Sequence, residues 1–148
     1  LMKKENLTPQ EMDDILNKKS GVYGMSRGVS VDFRDIENEA LAGGTHAQMA
    51  LDIYHYLTAS YVAKCAVAMG GIDVLTFTAG VGEKGPISRK AICDQLEFFG
   101  VKIDDEKNKI RGEEVEISAE DSKVKVYVVP TNEELMIARG LRDVLSNP

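Results

Sequence analysis

The sequence IDVLTFTAGVGEKGP at residues 72–86 decides the fold class. Its first part, Ile72 to Ala79, is rich in β-branched and aromatic residues with little polar alternation, which predicts a strand buried on both faces in a mostly parallel sheet. The glycines that follow predict a loop from Gly80 to Pro86, and the apolar spacing beyond it predicts a helix over residues 88–99. A buried strand, a glycine loop and a helix in this order indicate an α/β fold.

The segments on either side extend this pattern. Apolar residues recur at helical spacing from Ala50 to Ala68 and predict one long helix, which ends at Gly70-Gly71. Further short strands are predicted over residues 101–104, 113–118 and 123–129. The length of 148 residues suits one globular domain, with helices packed on a sheet.

The two ends of the chain carry helix-capping patterns. Residues 8–11 read Thr-Pro-Gln-Glu, which is typical of a capped helix start. Three glycines within residues 20–30 predict an irregular loop, and a short charged helix is expected over 35–42. Near the C-terminal end, residues 131–134 fit a capping box with Thr131 as the N-cap, followed by an amphipathic helix over 135–145.

Charge and hydropathy exclude some classes of function. The 18 basic residues against 24 acidic ones give a net charge of −6, without the basic patch that nucleic-acid binding requires. No apolar run approaches the ~18 residues of a membrane span, and the first residues form no hydrophobic signal region. We therefore expect a cytoplasmic protein with neither a nucleic acid nor a membrane as its partner.

The segment from Gly80 to Gly85 is the first candidate site. Backbone N–H groups at the end of a buried strand, before a helix, favour an anion such as phosphate, and glycine permits its close approach. The spacing of Gly80, Gly82 and Gly85, with Asp104 about 20 residues further on, also satisfies a dinucleotide-binding fingerprint. A tight turn without a ligand is a third interpretation. A Walker-type phosphate loop is excluded, because no Gly-Lys-Ser/Thr follows.

Two shorter segments are further candidates. In the capping box, Thr131 and Glu134 have structural roles, whereas Glu133 is left over and could hold Mg²⁺ at a helix N-terminus. Arg34 stands between two acidic residues, which is most simply a surface ion-pair network. Phe33 beside it is either a hydrophobic staple or an aromatic surface for a ring-shaped ligand.

Four separated motifs together resemble the C-terminal part of the acetate kinase family. In order along the chain, they lie at residues 28–37, 69–73, 77–83 and 130–139. The resemblance implies a ribonuclease-H-like lobe, a mixed sheet flanked by helices, as in sugar kinases, actin and the heat-shock chaperone ATPases. In that superfamily two related lobes close over a nucleotide, and this chain resembles the second lobe.

The resemblance also implies an activity and a set of site residues. Acetate kinases transfer the γ-phosphoryl group of ATP to acetate with Mg²⁺, reversibly giving acetyl phosphate and ADP. By resemblance, three residues fall on the adenosine segment, five on the nucleotide loop and one on the magnesium-associated acid. These are Asp32, Phe33 and Arg34; Gly80, Val81, Gly82, Glu83 and Lys84; and Glu133.

The chain departs from the family pattern in three respects. Lys84-Gly85 stands where the family typically has Asn-Ser, and Val31 replaces a serine beside the adenosine segment. The family's first lobe, which carries the catalytic arginines, the histidine and most of the acyl pocket, has no counterpart in these residues. We therefore expect no catalytic residue in this chain and no activity from the fragment alone.

Several alternatives stay open at this point. The half that resembles this chain does not choose among acetate, propionate and butyrate as the acyl substrate. The family dimerises largely through this lobe, so a homodimer is expected, and a stand-alone nucleotide-binding or dimerisation module is a second hypothesis. A dinucleotide-binding oxidoreductase domain is the third.

Overall fold

The structure, a computed structural model, describes residues 1–146. Its contacts group the chain into two compact units, one from Leu1 to Val67 and the other from Ala68 onward. The assignment of all 148 residues to a single domain stays a prediction. Among the described residues, no helix is both long and apolar enough to span a membrane.

As far as Met69, the regular elements of the chain are all helices. Its helices are α1 (Met2–Glu5), α2 (Pro9–Asp14), α3 (Gly21–Met25), α4 (Phe33–Leu41) and α5 (Thr45–Met69), with a π-helical turn at Ile15–Lys19. The capping box of α2 is confirmed, since the Thr8 side chain and Glu11 exchange both hydrogen bonds. The long helix is confirmed as α5. The predicted irregular loop over 20–30 is wrong in part, because α3 forms inside it and includes two of its three glycines, Gly21 and Gly24.

Helix α4 begins earlier than the charge pattern predicted. Asp32 has extended backbone angles and accepts a hydrogen bond from the Arg34 N–H, so it is the N-cap and Phe33 is the first helical residue. The helix packs through Ile36 onto Ala47 and Leu51 of α5. Phe33 packs against the same cluster, so its ring forms part of this small core.

The second unit contains a three-stranded mixed sheet in the order β1-β3-β2. Its strands are β1 (Val74–Phe77), β2 (Val115–Glu116) and β3 (Lys125–Val128). Strand β1 runs parallel to β3 with Phe77 opposite Val128, and β2 runs antiparallel to β3. The predicted strand over 101–104 forms only two isolated bridges, from Val101 to Val124 and from Ile103 to Ser118.

The prediction that β1 is buried on both faces is wrong. In the described sheet β1 is an edge strand, and only Phe77 of its four residues is buried, whereas Val74 is 53% exposed. The central strand is β3, in which Val126 and Val128 are fully buried. A run of apolar residues does not itself distinguish an edge strand from a central one, because that difference depends on the neighbouring strands.

The predicted glycine loop is a helix. Residues Ala79–Lys84 form α6, and after Gly85 the chain enters α7 (Pro86–Asp94) with a proline in its first turn. The predicted helix over 88–99 therefore begins two residues earlier and ends at Asp94, followed by a 3₁₀ turn at Glu97–Phe99. The last helix, α8 (Glu133–Ser146), extends over the predicted region.

Candidate functional site

The turn between β1 and α6 is abrupt. Thr78 is extended, and the next residue, Ala79, has a φ of 58°, in the left-handed region that a residue with a Cβ seldom adopts. Such a conformation costs of the order of 1–3 kcal/mol and persists only where the surrounding structure enforces it. The chain therefore turns from the strand into α6 within two residues, and Gly80 lies at the exposed start of that helix.

The three glycines of this segment have different reasons to be glycine. A Cβ on Gly82 would lie 3.2 Å from the carbonyl carbon of Phe77, and one on Gly85 would lie 2.5 Å from the Val81 oxygen. Internal packing therefore accounts for both. A Cβ on Gly80 would have no atom of the described chain within 4 Å, and its φ is not positive. Neither packing nor backbone conformation explains the glycine at position 80.

The Glu83 carboxylate points to the segment before α8. Its Oε1 accepts hydrogen bonds from the Thr131 N–H at 2.7 Å and from the Thr131 hydroxyl at 2.9 Å. The residue is buried, and these two bonds hold the pKa of the carboxyl below its usual value. The structure thus joins α6 to the segment that carries Glu133.

The other residues predicted in α6 differ in exposure: Val81 is half-buried and Lys84 is exposed.

The capping box predicted for the last helix is wrong. The N-cap of α8 is Asn132, whose Oδ1 accepts the Leu135 N–H at 2.9 Å, and the Thr131 hydroxyl instead donates to Glu83. Glu133 is then the first residue of α8 and is exposed. A sequence pattern alone does not reveal that the threonine has a partner elsewhere in the fold.

The surroundings of Glu133 suit Mg²⁺, which needs only one or two protein carboxylates, better than a metal that needs several side-chain ligands. Among residues 1–146, no group of three or more His, Cys, Asp or Glu side chains could hold a metal ion. Mg²⁺ is usually bound by one or two carboxylates, with water and substrate phosphates completing its shell. The exposed Glu133 carboxylate at a helix start therefore fits Mg²⁺ bound together with a nucleotide.

The first unit holds the other predicted site residues. Asp32 and Arg34 form an exposed ion pair at 2.6 Å, which confirms the surface pairing expected for Arg34. Arg34 lowers the pKa of Asp32 to about 2, chiefly through its side chain and then through its backbone N–H. The Phe33 ring lies edge-on to Tyr54 with 4.8 Å between centroids. A nucleotide role for these residues stays a prediction.

A cavity of about 370 Å³ lies beside the same residues in the first unit. Its walls combine aromatic and apolar side chains with a few polar ones, including Tyr23, Ser30, Phe33 and Tyr54. This mixture is typical of sites for flat organic ligands. Val31, one of the departures from the family pattern, also lines the cavity and is 85% exposed.

The sequence gives no sign of the position that Arg89 occupies beside α6. Arg89 appears in the sequence as part of a basic pair with Lys90, which is the usual composition of a surface. In the structure it is 1% exposed and bonds to the main chain of α6. No periodicity singles it out, because its partners lie in separate segments.

The geometry of Asp104 is unlike that of a dinucleotide-binding acid. Its carboxylate accepts the N–H groups of Glu106 at 2.8 Å and Lys107 at 3.0 Å, which caps a surface 3₁₀ turn. Asp104 thus has a local role that needs no dinucleotide.

The sequence comparisons all point to the same protein family. The family model described as "Acetokinase family" matches residues 1–139. Acetate kinase of Thermotoga petrophila is 58% identical over 147 residues, which make up 98% of this chain and 36% of that protein. Acetate kinase of Dictyoglomus turgidum is 58% identical over 139 residues, 94% of this chain and 34% of that one.

Solved structures agree with the sequences. The Porphyromonas gingivalis acetate kinase is 45% identical with a TM-score of 0.88, covering 98% of this chain and 36% of its own. A Francisella tularensis propionate kinase is 34% identical with a TM-score of 0.83, and the match covers 93% of this chain and 34% of that one. The chain thus spans about a third of the length of these relatives. The resemblance drawn from four motifs is confirmed, the dinucleotide-binding alternative is wrong, and the chain belongs to the acetokinase family.

Proposed function

We propose that this chain is the C-terminal, nucleotide-binding lobe of an acetate kinase. The parent enzyme would transfer the γ-phosphoryl group of ATP to acetate, reversibly and with Mg²⁺, giving acetyl phosphate and ADP. The lobe would have the ribonuclease-H-like fold of the wider superfamily. This chain spans only about a third of the length of its relatives, so the catalytic arginines and the acyl pocket are assigned to residues outside this chain.

The observation that carries the nucleotide role is the open surface at Gly80. Neither φ nor a neighbouring atom of the described chain requires this glycine, and its open position at the start of α6 leaves room for a ligand to approach the backbone closely. Phosphoryl transfer depends mainly on positioning and on neutralising charge, for which backbone donors and a metal carboxylate are suitable. We assign Gly80, Val81, Gly82, Glu83 and Lys84 to this part of the site.

The remaining assignments follow from the same proposal. Glu133 would hold Mg²⁺ through water or directly, together with the nucleotide phosphates. Asp32, Phe33 and Arg34 would contribute to the adenosine pocket, and Phe33 among them lines the cavity of about 370 Å³ and supplies an aromatic wall. Lys84 in place of the family's asparagine supplies only donors and a charge, so nucleotide selectivity is expected to differ from that of typical members.

Calorimetric titration of this chain with ADP, with and without Mg²⁺, tests the proposal. We expect ADP to bind and Mg²⁺ to tighten its binding. A second assay, acetyl phosphate formation from acetate and Mg-ATP, should give no turnover with the chain alone. Turnover at the rate of a normal kinase would contradict the inactivity of the fragment, and absence of ADP binding would contradict the nucleotide role.

A dimerisation module is the second candidate, and the surface of α5 favours it. This helix leaves large apolar side chains exposed, among them Tyr56 at 63% and Tyr61 at 64%. Exposed apolar surface of this kind often marks a protein interface. Light scattering distinguishes the two candidates, because a pure dimerisation module would form dimers and bind no ADP. The acyl substrate, whether acetate or propionate, is a choice we assign to the rest of the enzyme.

A further inference from the structure

Arg89 is among the most deeply buried side chains of the described residues, with 1% of its surface exposed. Its guanidinium group donates five hydrogen bonds, which is its full complement. Nη1 donates to the carbonyls of Gly82 at 2.7 Å and Glu83 at 3.1 Å. Nη2 donates to the carbonyls of Asn108 at 2.6 Å and Ile110 at 2.9 Å, and Nε donates to the Asn108 side chain at 2.8 Å.

Every one of these five acceptors is uncharged. Burying a cation is costly, and a hydrogen-bonded carboxylate is the usual compensation. Burial therefore lowers the pKa of Arg89, and the nearby charge of Arg111 adds to the effect. A guanidinium group tolerates such a position because it is weakly hydrated and its planar fork can serve several carbonyls at once.

The fork connects two segments that are distant in sequence. One side binds the carbonyl end of α6, and the other binds the 3₁₀ turn at Lys107–Lys109 and the residue after it. Two further bonds reinforce the connection. The Gly112 N–H donates to the same Glu83 carbonyl at 3.0 Å, and the Asn108 amide donates to the Pro86 carbonyl at 2.9 Å.

Helix α6 needs this support. It has only six residues, two of them glycine, and isolated helices of that length do not persist in water. The main chain of Glu83 is held by Arg89 and Gly112, and its side chain is held by Thr131. These anchors leave the face at Gly80 open.

We propose that Arg89 is a positioning residue for the nucleotide: it fixes α6 on the 108–112 segment and thereby orients the backbone at Gly80 toward the phosphates. This inference rests on the proposed nucleotide role of α6. Arg89 itself makes no contact with the ligand. Its contribution is geometric, since each donor bonds to a particular carbonyl.

The test compares the Arg89→Lys variant with wild type in the whole 148-residue chain. Lysine keeps the charge but has a single ammonium group, which cannot serve both segments as the fork does. We expect ADP to bind about tenfold more weakly, because small displacements of a positioning group have effects of this size or larger. Amide hydrogen exchange should accelerate in α6 and stay unchanged in β3. Arg111→Lys, at an exposed arginine nearby, is the matched control and should change neither quantity.

Each outcome is decisive. Unchanged ADP affinity in Arg89→Lys overturns the inference, and so does accelerated exchange in β1 and β3 together with α6, which indicates a general loss of structure. If Arg89→Lys does not fold, Asn108→Ala takes its place, since it keeps Arg89 and removes the acceptor of Nε together with the donor to the Pro86 carbonyl. Weaker ADP binding, with faster amide exchange confined to α6, is again expected. Wild-type chain that binds no ADP refutes the proposed function itself, and the inference with it.

Discussion

The carboxylate of Glu83 accepts two hydrogen bonds from Thr131, a residue 48 positions further along the chain. Each of the two residues lies close in sequence to another part of the candidate site. Glu83 belongs to α6, whose start is open at Gly80, and Thr131 stands two residues before Glu133. This pair therefore fixes the distance between the proposed phosphate-binding backbone and the proposed magnesium carboxylate.

The pH dependence of stability should reveal this pair. The folded-state pKa of Glu83 lies below its usual 4.5, so the pair stabilises the fold above that pH and the effect is lost as the pH falls through the lowered pKa. Glu83→Gln removes the charge and keeps the shape. We expect its Tm to be lower than that of wild type by about 3 °C or more at pH 7, and the difference to shrink toward acidic pH.

Thermal unfolding followed by circular dichroism over a pH series measures this effect. The Thr131→Val variant supplies the other side of a double-mutant cycle, because it deletes the hydroxyl and keeps the backbone N–H. The effects of the two substitutions should be less than additive. A Tm difference between Glu83→Gln and wild type that is independent of pH would contradict the role of the Glu83 charge.

A methyl group at Gly80 should affect binding without affecting folding. The added Cβ meets no atom of the described chain, so Gly80→Ala should keep or slightly raise Tm, because alanine favours a helix. A nucleotide that approaches the backbone would be displaced, and we expect ADP affinity to fall about tenfold, as measured by calorimetry. Gly140→Ala in α8, where the new Cβ also has open space, is the matched control and should leave ADP binding unchanged. Equal affinities in the two variants would argue against close approach at Gly80.

Loss of the Glu133 carboxylate should be specific to the metal. Glu133→Ala is expected to weaken Mg-ADP binding about tenfold while leaving metal-free ADP binding and folding unchanged, since the side chain is exposed. Glu134→Ala removes a neighbouring exposed carboxylate in the same helical turn and controls for the effect of charge on the helix. An equal loss for metal-free ADP would contradict the metal role.

The Asp32–Arg34 pair can be observed directly by carbon-13 NMR titration. The Asp32 carboxyl should titrate with a pKa of about 2, and Arg34→Met should raise that pKa, because the larger part of the lowering comes from the arginine side chain. Arg111→Met, distant in sequence, should leave it unchanged. A nucleotide that recruits Arg34 would also raise the Asp32 pKa, so titration in the presence of ADP tests the adenosine assignment. An Asp32 pKa that Arg34→Met does not alter would refute the importance of the pair.

Local patterns predicted much of the fold. The spacing from Ala50 to Ala68 identified α5, and the Thr8 capping box identified the start of α2, because both depend on residues within one or two turns. The glycine segment was misinterpreted as a loop. Gly82 and Gly85 are glycines because of packing against Phe77 and Val81, and this packing exists only once the chain has folded.

The sequence by itself determined the family, the long helix α5 and the candidate segments, since four motifs and local periodicity are readable without coordinates. Only the tertiary structure decided which side chains are already engaged. Thr131 donates a hydrogen bond to Glu83, and Asn132 is the N-cap of α8. Arg89 is buried and bonds to the main chain of α6. The physical reason is that hydrogen-bond partners separated by tens of residues are chosen by burial and geometry, which no local pattern records.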